Sequence, residues 1–360
     1  MGILTGIAGP VLVFVLLVVP LIVVHELGHL VVARLRGIDV PEFGIGFPPR
    51  VFTLLRGRRT ELTINALPLG GFVRMAGSEE GDTDPAGWES ATLTSKTFVM
   101  IAGILMNILV ALLLMLALSG PLAERSSVLL REIQPGSPAA AAGLLPGDRI
   151  VGLEGVLFDR FDSPLAGLPL HAGKTIRVTV QTGIEVAREV AITLRTTEEA
   201  TGKGYMGVAI ESIDSAGPLE RSISEAAGLA VIRTWDAGTS IIGALGSFVT
   251  SPFRPADGAS AVAGPIGIAV GVSAAAGQLG LVGLVHIAAL LSANLAVLNL
   301  LPIPPLDGGR IAALYLRRAL GEVRGRRIER RLVTAGAVLM FALFLWISLG
   351  DILNLFGVKR

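Results

Sequence analysis

Four stretches free of Asp, Glu, Lys and Arg dominate this chain of 360 residues, and no other feature limits its fold so strongly. Residues 1–24 form the first, long enough to cross a hydrocarbon layer about 30 Å thick. A secretory signal would want a basic flank and a small-residue cleavage site. No basic residue precedes this run and the helical pattern continues through His25 to Ala33, so a retained span is expected. Residues 97–123 form the second stretch, and residues 258–306 a third that is too long for one crossing. The third is expected to hold a Gly/Ala-rich lead-in followed by a span over about 281–301. The fourth covers 332–349 and is closed by Asp351. Only 16% of the residues are charged, where a soluble domain carries about a quarter. Lys and Arg number 30 against 29 for Asp and Glu, so no net basicity points to nucleic acid. There is no cysteine, which removes disulfides, thiolate ligands and a thiol nucleophile together.

Charge in the connecting segments orients the spans. Arg34, Arg36, Arg50, Arg56, Arg58, Arg59 and Arg74 crowd the segment after span one. Another basic cluster, from Arg310 to Arg331, lies between spans three and four, whereas residues 124–220 lean acidic. Basic loops stay cytoplasmic. Both termini and the central module are therefore expected outside, in a multi-pass protein of a bacterial inner membrane.

Residues 127–213 change character. Short β-branched runs at 176–180, 190–194 and 205–210 alternate with Gly-rich turns, the pattern of a small β-rich domain. The element Gly143-Leu-Leu-Pro-Gly-Asp148 makes this region resemble a PDZ domain, a module that adds extended peptides to a sheet edge. A plug or size filter beside the membrane fits equally well, so binding of peptide termini stays one of two readings. Residues 218–253 look amphipathic, as an interfacial helix or a surface helix of the β-rich module. Residues 40–71 read as Gly- and Pro-broken β-hairpins, a backbone tolerated beside a span when it is buried in protein or lines a wet cavity.

Chemistry concentrates in His25-Glu26-Leu27-Gly28-His29. A four-residue step puts both imidazoles on one helix face, where they can share one Zn²⁺. Glu26 stands beside the first ligand and can act on water without binding the metal. Ionisable groups at membrane depth cost about 2.5–3.5 kcal/mol each on the mildest scale, so three of them directly after an apolar run suggest a function. A catalytic zinc commonly takes three protein ligands. His171 and His286 are badly placed for the third, which leaves a carboxylate at matching depth. Asp307 is the outstanding candidate, because Pro302, Pro304 and Pro305 interrupt regular helix before it and can turn the chain back toward span one.

The HELGH sequence, the run Gly70-Gly-Phe-Val-Arg-Met-Ala-Gly77 and the motif Asn299-Leu-Leu-Pro-Ile-Pro-Pro-Leu-Asp-Gly-Gly309 resemble the site-2 protease family of intramembrane zinc metalloproteases, and within it the bacterial regulator of sigma-E proteases. The resemblance spans nearly the whole chain. It implies His25, His29 and Asp307 as zinc ligands and Glu26 as catalytic base and acid. It further implies that Asn294 and Asn299 assist substrate binding or stabilise the transition state. Residues 43–73 become a membrane re-entrant β-loop that clamps unwound substrate, with Phe43, Gly44, Gly70, Gly71 and Phe72 as substrate-binding positions. The chain departs from the family's pattern twice. Ala102-Gly-Ile-Leu-Met-Asn107 lacks a proline often found before that Asn, and only about one PDZ-sized segment fits, so gating by a tandem pair is not assumed.

The expected architecture is a polytopic α-helical membrane protein with about four transmembrane helices, a re-entrant β-hairpin loop and one extracytoplasmic PDZ-like domain. Its parts run 1–33 for span one, 34–95 for the cytoplasmic-side β-loop region, 96–120 for span two and 124–213 for the PDZ-like domain. An amphipathic and Gly/Ala-rich segment follows over 218–280, then span three over 281–310, a basic loop over 311–331 and span four over 332–352. The expected activity is regulated intramembrane proteolysis of single-span membrane proteins, by resemblance anti-sigma factors or signal-peptide remnants. The rival from another class is a non-catalytic transporter or scaffold carrying a peptide-binding module, since intramembrane His, Glu and Asp also mark ion pathways.

Overall fold

The computed structural model describes residues 2–77, 84–161, 165, 167–183, 186–250 and 265–355. The chain divides into two compact units, one of Met1–Leu116 with Gly228–Arg360 and the other of Ala117–Ala227.

In the first unit, helices α1 (Gly2–Leu35), α2 (Leu93–Ser119), α6 (Pro265–Leu300) and α8 (Glu322–Leu355) carry the apolar stretches. Among the described residues, four helical segments are long and apolar enough to cross a membrane: Gly9–Leu35, Leu93–Ser119, Gly280–Leu300 and Glu322–Asp351. Helix α6 holds a lead-in over 265–279 and the span over 280–300. Gly280 separates them with φ 60° and ψ −146°, a conformation an L side chain resists and glycine accepts. Helix α5 (Ile223–Thr250) packs in part on α6, since a Cβ on Gly238 would meet the Val297 side chain at 3.1 Å. Residues 251–264 lie outside the described residues.

The basic segment 311–331 is not a loop. It is the greater part of helix α7 (Asp307–Leu320) and the first turns of α8, separated by Gly321. Charge fixed the expected side of the membrane but said nothing of conformation, and Ala, Leu and Arg are all strong helix formers. Arg317 on α7 is nearly buried and holds Glu89 at 2.7 Å and Glu329 at 3.6 Å, and it also pairs with Glu322. Bonding to Glu89 raises the Arg317 pKa, and the same bond holds the Glu89 carboxyl below its usual range. Gly325 permits this approach, as a Cβ there would lie 2.6 Å from Arg317 Cα.

Residues 34–95 contain strands β1 (Glu42–Arg56) and β2 (Glu61–Arg74), which pair with each other more than once. Residues 50–56 run antiparallel to 61–65, residues 61–64 parallel to 42–45, and residues 42–47 antiparallel to 67–74. Four segments therefore lie side by side, with 50–56 and 67–74 at the two edges. Glu42 ties them together. Its buried carboxylate accepts from Thr63 Oγ1 at 2.8 Å and pairs with Arg50 at 2.7 Å and Arg74 at 2.9 Å, one partner from each other segment. Burial alone would raise this carboxyl, but the bonds from Thr63 and Arg50 and the Arg74 charge hold it below the usual range.

The second unit is a six-stranded antiparallel sheet. Strands β3 (Glu124–Ile133), β4 (Asp148–Leu153), β5 (Val156–Leu157), β6 (Thr175–Thr182), β7 (Arg188–Thr193) and β8 (Val208–Pro218) take the order β7-β6-β4-β3-β8, with β5 paired to β4. Alternating residues of these strands face one core, in which Val128, Leu130, Ile150, Val178, Val180 and Ile192 are almost wholly buried. A short helix α3 (Pro138–Ala141) is capped by Ser137, whose Oγ accepts from the Ala140 N–H. The loop after it closes on Asp148, whose carboxylate accepts from the Leu145 N–H at 2.9 Å and from Thr182 Oγ1 at 2.6 Å. A one-turn helix α4 (Thr197–Ala200) carries a capping box between Thr196 and Glu199.

Candidate active site

Helix α1 remains regular through HELGH, so the four-residue step stacks His25 over His29 with ring centroids 4.7 Å apart and edge to face. Both imidazoles are buried, and both turn Nε2 inward, 3.1 Å from one another. Asp307 opens α7 and brings Oδ2 to 3.1 Å from His25 Nε2 and 3.3 Å from His29 Nε2. No other hydrogen-bond donor among the described residues reaches that oxygen, although it is buried.

This donor set fits a zinc ion. A tetrahedral ion bonded at about 2.0 Å sets its ligand atoms about 3.3 Å apart, which is the spacing of the three atoms here. Two inward imidazole lone pairs and an orphaned carboxylate oxygen would otherwise repel in a buried place, and a cation between them removes the conflict. His25, His29 and Asp307 are the cluster of potential metal ligands found among the described residues.

Glycines make the convergence possible. A Cβ on Gly28 would lie 2.6 Å from the Ala102 carbonyl oxygen, and one on Gly103 would lie 2.6 Å from His29 Nε2 and 2.7 Å from His25 Cε1. Helices α1 and α2 therefore touch backbone to backbone at the imidazoles. On the other side, a Cβ on Gly308 would collide with the carbonyls of Leu300 and Leu301, and one on Gly309 with the backbone of Ile303 and Pro304. The two glycines after Asp307 thus let the start of α7 fold onto the proline-rich turn, which returns the carboxylate to α1.

A cavity of about 330 Å³ opens at the triad, lined by Glu26, Phe47, Gly71, Phe72, Val73, Met75, Met100, Asn299, Pro305, Leu306 and Arg310 as well as the three donors. Glu26 flanks it on one side. The sheet edge 67–74 lies next to Glu26 there, so close that a Cβ on Gly71 would lie 3.3 Å from Glu26 Cγ. Among the expected site residues, the cavity brings together His25, Glu26, His29, Gly71, Phe72, Asn299 and Asp307. Phe43, Gly44, Gly70 and Asn294 are not among its lining residues. Phe43 is buried in the sheet, Gly44 accommodates the Phe72 ring and Gly70 the Phe47 ring, and Asn294 Oδ1 is buried without a hydrogen-bond partner. Sequence reasoning did not single out Phe47, Met75, Met100 or Arg310 for the site. Arg310 could have been found, because it stands three residues after the ligand carboxylate, one turn along a helix face.

Comparison with known proteins agrees with this geometry. The model of peptidase family M50 matches residues 13–343. A Clostridium perfringens protein named as a candidate zinc metalloprotease is 32% identical over 336 residues, covering 92% of this chain and 95% of that protein. An Agrobacterium fabrum protein of the same description is 29% identical over 377 residues, covering 99% and 98%. An Arabidopsis thaliana protein named as a candidate chloroplast membrane metalloprotease is 29% identical over 359 residues, covering 94% of this chain and 79% of its own length. Apolar spans and a buried His–His–carboxylate set, joined to these likenesses, define a multi-pass membrane zinc metalloprotease. The chain belongs to peptidase family M50.

Proposed function

We propose that this chain is an intramembrane endopeptidase that cuts single-span membrane proteins, anti-sigma factors or signal-peptide remnants among them, near the cytoplasmic leaflet of a bacterial inner membrane. The observation that carries the reading is that Glu26, the sheet edge 67–74 and the triad line one cavity, with Gly71 set directly against Glu26. His25, His29 and Asp307 would hold the zinc. When bound, zinc supplies an acidified water and a polarised scissile carbonyl. Glu26 accepts the proton of the attacking water and then delivers it to the leaving amine, for which its position in the cavity wall suits it. Asn299 offers its amide N–H to the developing oxyanion. A helical substrate hides its carbonyls in its own hydrogen bonds and must unwind before attack. Residues 67–74 form a sheet edge whose free N–H and C=O groups can replace those bonds by strand addition. Gly71 and Phe72 then face the substrate directly. Phe43, Gly44 and Gly70 shape the strand behind them, and Asn294 offers a buried acceptor. On this reading the PDZ-like unit lies outside, where it meets peptide termini or acts as a size filter, and both chain termini lie on that outer side, a placement the basic clusters at 34–74 and 310–331 support.

The test is a co-expressed single-span substrate. Wild type should release a fragment cut within the span, and Glu26→Gln should not, while both retain about one zinc per chain. His25→Ala and Asp307→Ala should lose the metal and the cut together. Continued cutting by Glu26→Gln would overturn the assignment of the base, and a wild-type protein free of zinc would overturn the reading as a whole.

A further inference from the structure

The two ligating imidazoles are held from behind in different ways. His29 Nδ1 lies 2.7 Å from the Val99 carbonyl oxygen, a backbone acceptor that orients the ring with Nε2 inward. His25 Nδ1 faces the side-chain amide of Asn107 on α2, at 3.2 Å from its nitrogen. That amide is entirely buried, and its Oδ1 has no hydrogen-bond partner. As drawn, the contact conflicts with the triad. If His25 Nε2 gives its lone pair to a cation, the ring proton sits on Nδ1 and points at an amide N–H. Turning the amide by 180° removes both faults, because Oδ1 then accepts from the His25 Nδ1–H and is no longer orphaned. The two orientations have the same shape and differ only in which atom is called oxygen.

We propose that Asn107 is the positioning residue of His25: its amide oxygen accepts the Nδ1 proton, fixes the tautomer and aims Nε2 at the metal. The inference rests on the zinc-site reading above. Asn107 can carry this task because its backbone is held independently of its side chain. Ser292 Oγ on α6 donates to the Asn107 carbonyl at 2.8 Å, so a substitution at 107 leaves that tie intact. One ligand thus depends on a main-chain carbonyl that substitution does not remove, and the other on a single side chain.

The experiment measures zinc retained by the purified full-length protein against a graded chelator series, with the visible spectrum of the cobalt-substituted protein as a second readout. Two near-isosteric variants separate acceptor from donor. Asn107→Asp keeps an acceptor and should hold zinc as tightly as wild type or more tightly, with a four-coordinate cobalt spectrum. Asn107→Leu keeps the branched skeleton but offers no acceptor. It should lose about 10- to 100-fold in zinc affinity and show an altered cobalt spectrum, while the helical circular dichroism is unchanged. Wild-type affinity and spectrum in Asn107→Leu would overturn the proposal. So would loss of zinc by Asn107→Asp, since that result would make the amide a donor to a bare nitrogen. Failure of the underlying reading looks different, because wild type itself would then bind no zinc.

Discussion

The two β-structures of this protein are built inside out relative to each other. In the second unit the sheet turns its apolar residues inward, so that Val128, Leu130 and Val178 are fully covered while charged residues such as Arg131 and Glu132 are exposed. In the 42–74 sheet the carboxylate of Glu42 is inside, and Val51, Phe52, Leu54 and Leu55 are exposed on the edge segment. Sheet hydrogen bonding is supported by water exclusion in one case and by a charge cluster in the other. An exposed run of large apolar residues is expected to face a partner or a membrane rather than bulk water. The contrast makes the exposed edge of 42–74 the place to test for such a partner or membrane.

The sharpest way to break this comparison is to damage each interior by its own logic. Leu130→Ala leaves a cavity in a fully buried apolar core and should cost the second unit about 2–5 kcal/mol. Amide hydrogen exchange on the full-length protein should show faster opening of strands β3, β4 and β6 while residues 42–74 exchange as before. Glu42→Gln is the counterpart. It leaves Arg50 and Arg74 without their shared carboxylate, but both guanidiniums are largely exposed, so water compensates part of the loss. A cost of about 1–2 kcal/mol is expected, confined to the sheet 42–74. Equal opening of both units in either variant would show that they do not stabilise themselves separately.

Acid should act in the same direction as Glu42→Gln, and more weakly. The folded Glu42 carboxyl titrates below its ordinary value of 4.5, so the stability it contributes is complete above that value and is lost as pH falls through the lower, folded one. Acidification from about pH 5 to about pH 3 should therefore loosen residues 42–74 first, as read by proteolysis near Arg50 and Arg56. The second unit has a lowered acid too, Asp214, bonded first by Arg149 and then by Ser212, but that pair lies at the surface and the unit's apolar core does not titrate. Preferential acid opening of the second unit would reverse the comparison.

Much of this was legible in the sequence, for reasons that differ by region. Uncharged length gives the spans, and the His25–His29 step gives half of the site, because both depend on local periodicity. Asp307 was reachable because depth in the membrane restricts which carboxylate can meet two imidazoles. What could not be read were contacts that need three-dimensional closure. Glu42 is an ordinary acid in sequence, and only the threefold pairing of β1 with β2 surrounds it with Thr63, Arg50 and Arg74. Asn107 stands 82 residues from His25, and nothing local marks it as that ring's neighbour. The helical nature of 311–331 was hidden by its charge. Arginines that read as loop residues are surface positions of α7 and α8, except for Arg317, which is turned inward onto Glu89.

The smallest expected effect bears most directly on solvent. Phe52→Ser and Leu54→Ser remove exposed apolar side chains, and neither side chain fills the sheet interior. Surface changes of this kind alter fold stability by no more than about 0.5 kcal/mol, so the sheet should melt unchanged in detergent. In a bilayer the outcome should differ, because each buried apolar side chain contributes about 1.5–3 kcal/mol to transfer out of water. The double variant should leave 42–74 more accessible to a water-soluble labelling reagent, with cysteines placed singly at Thr53 as the probe in an otherwise cysteine-free chain. A matched change at Val156, exposed on the second unit, should alter neither stability nor labelling. If Phe52→Ser and Leu54→Ser prove as silent in lipid as Val156→Ser, the exposed edge faces water, and the inverted patterning of this sheet needs another cause than the membrane.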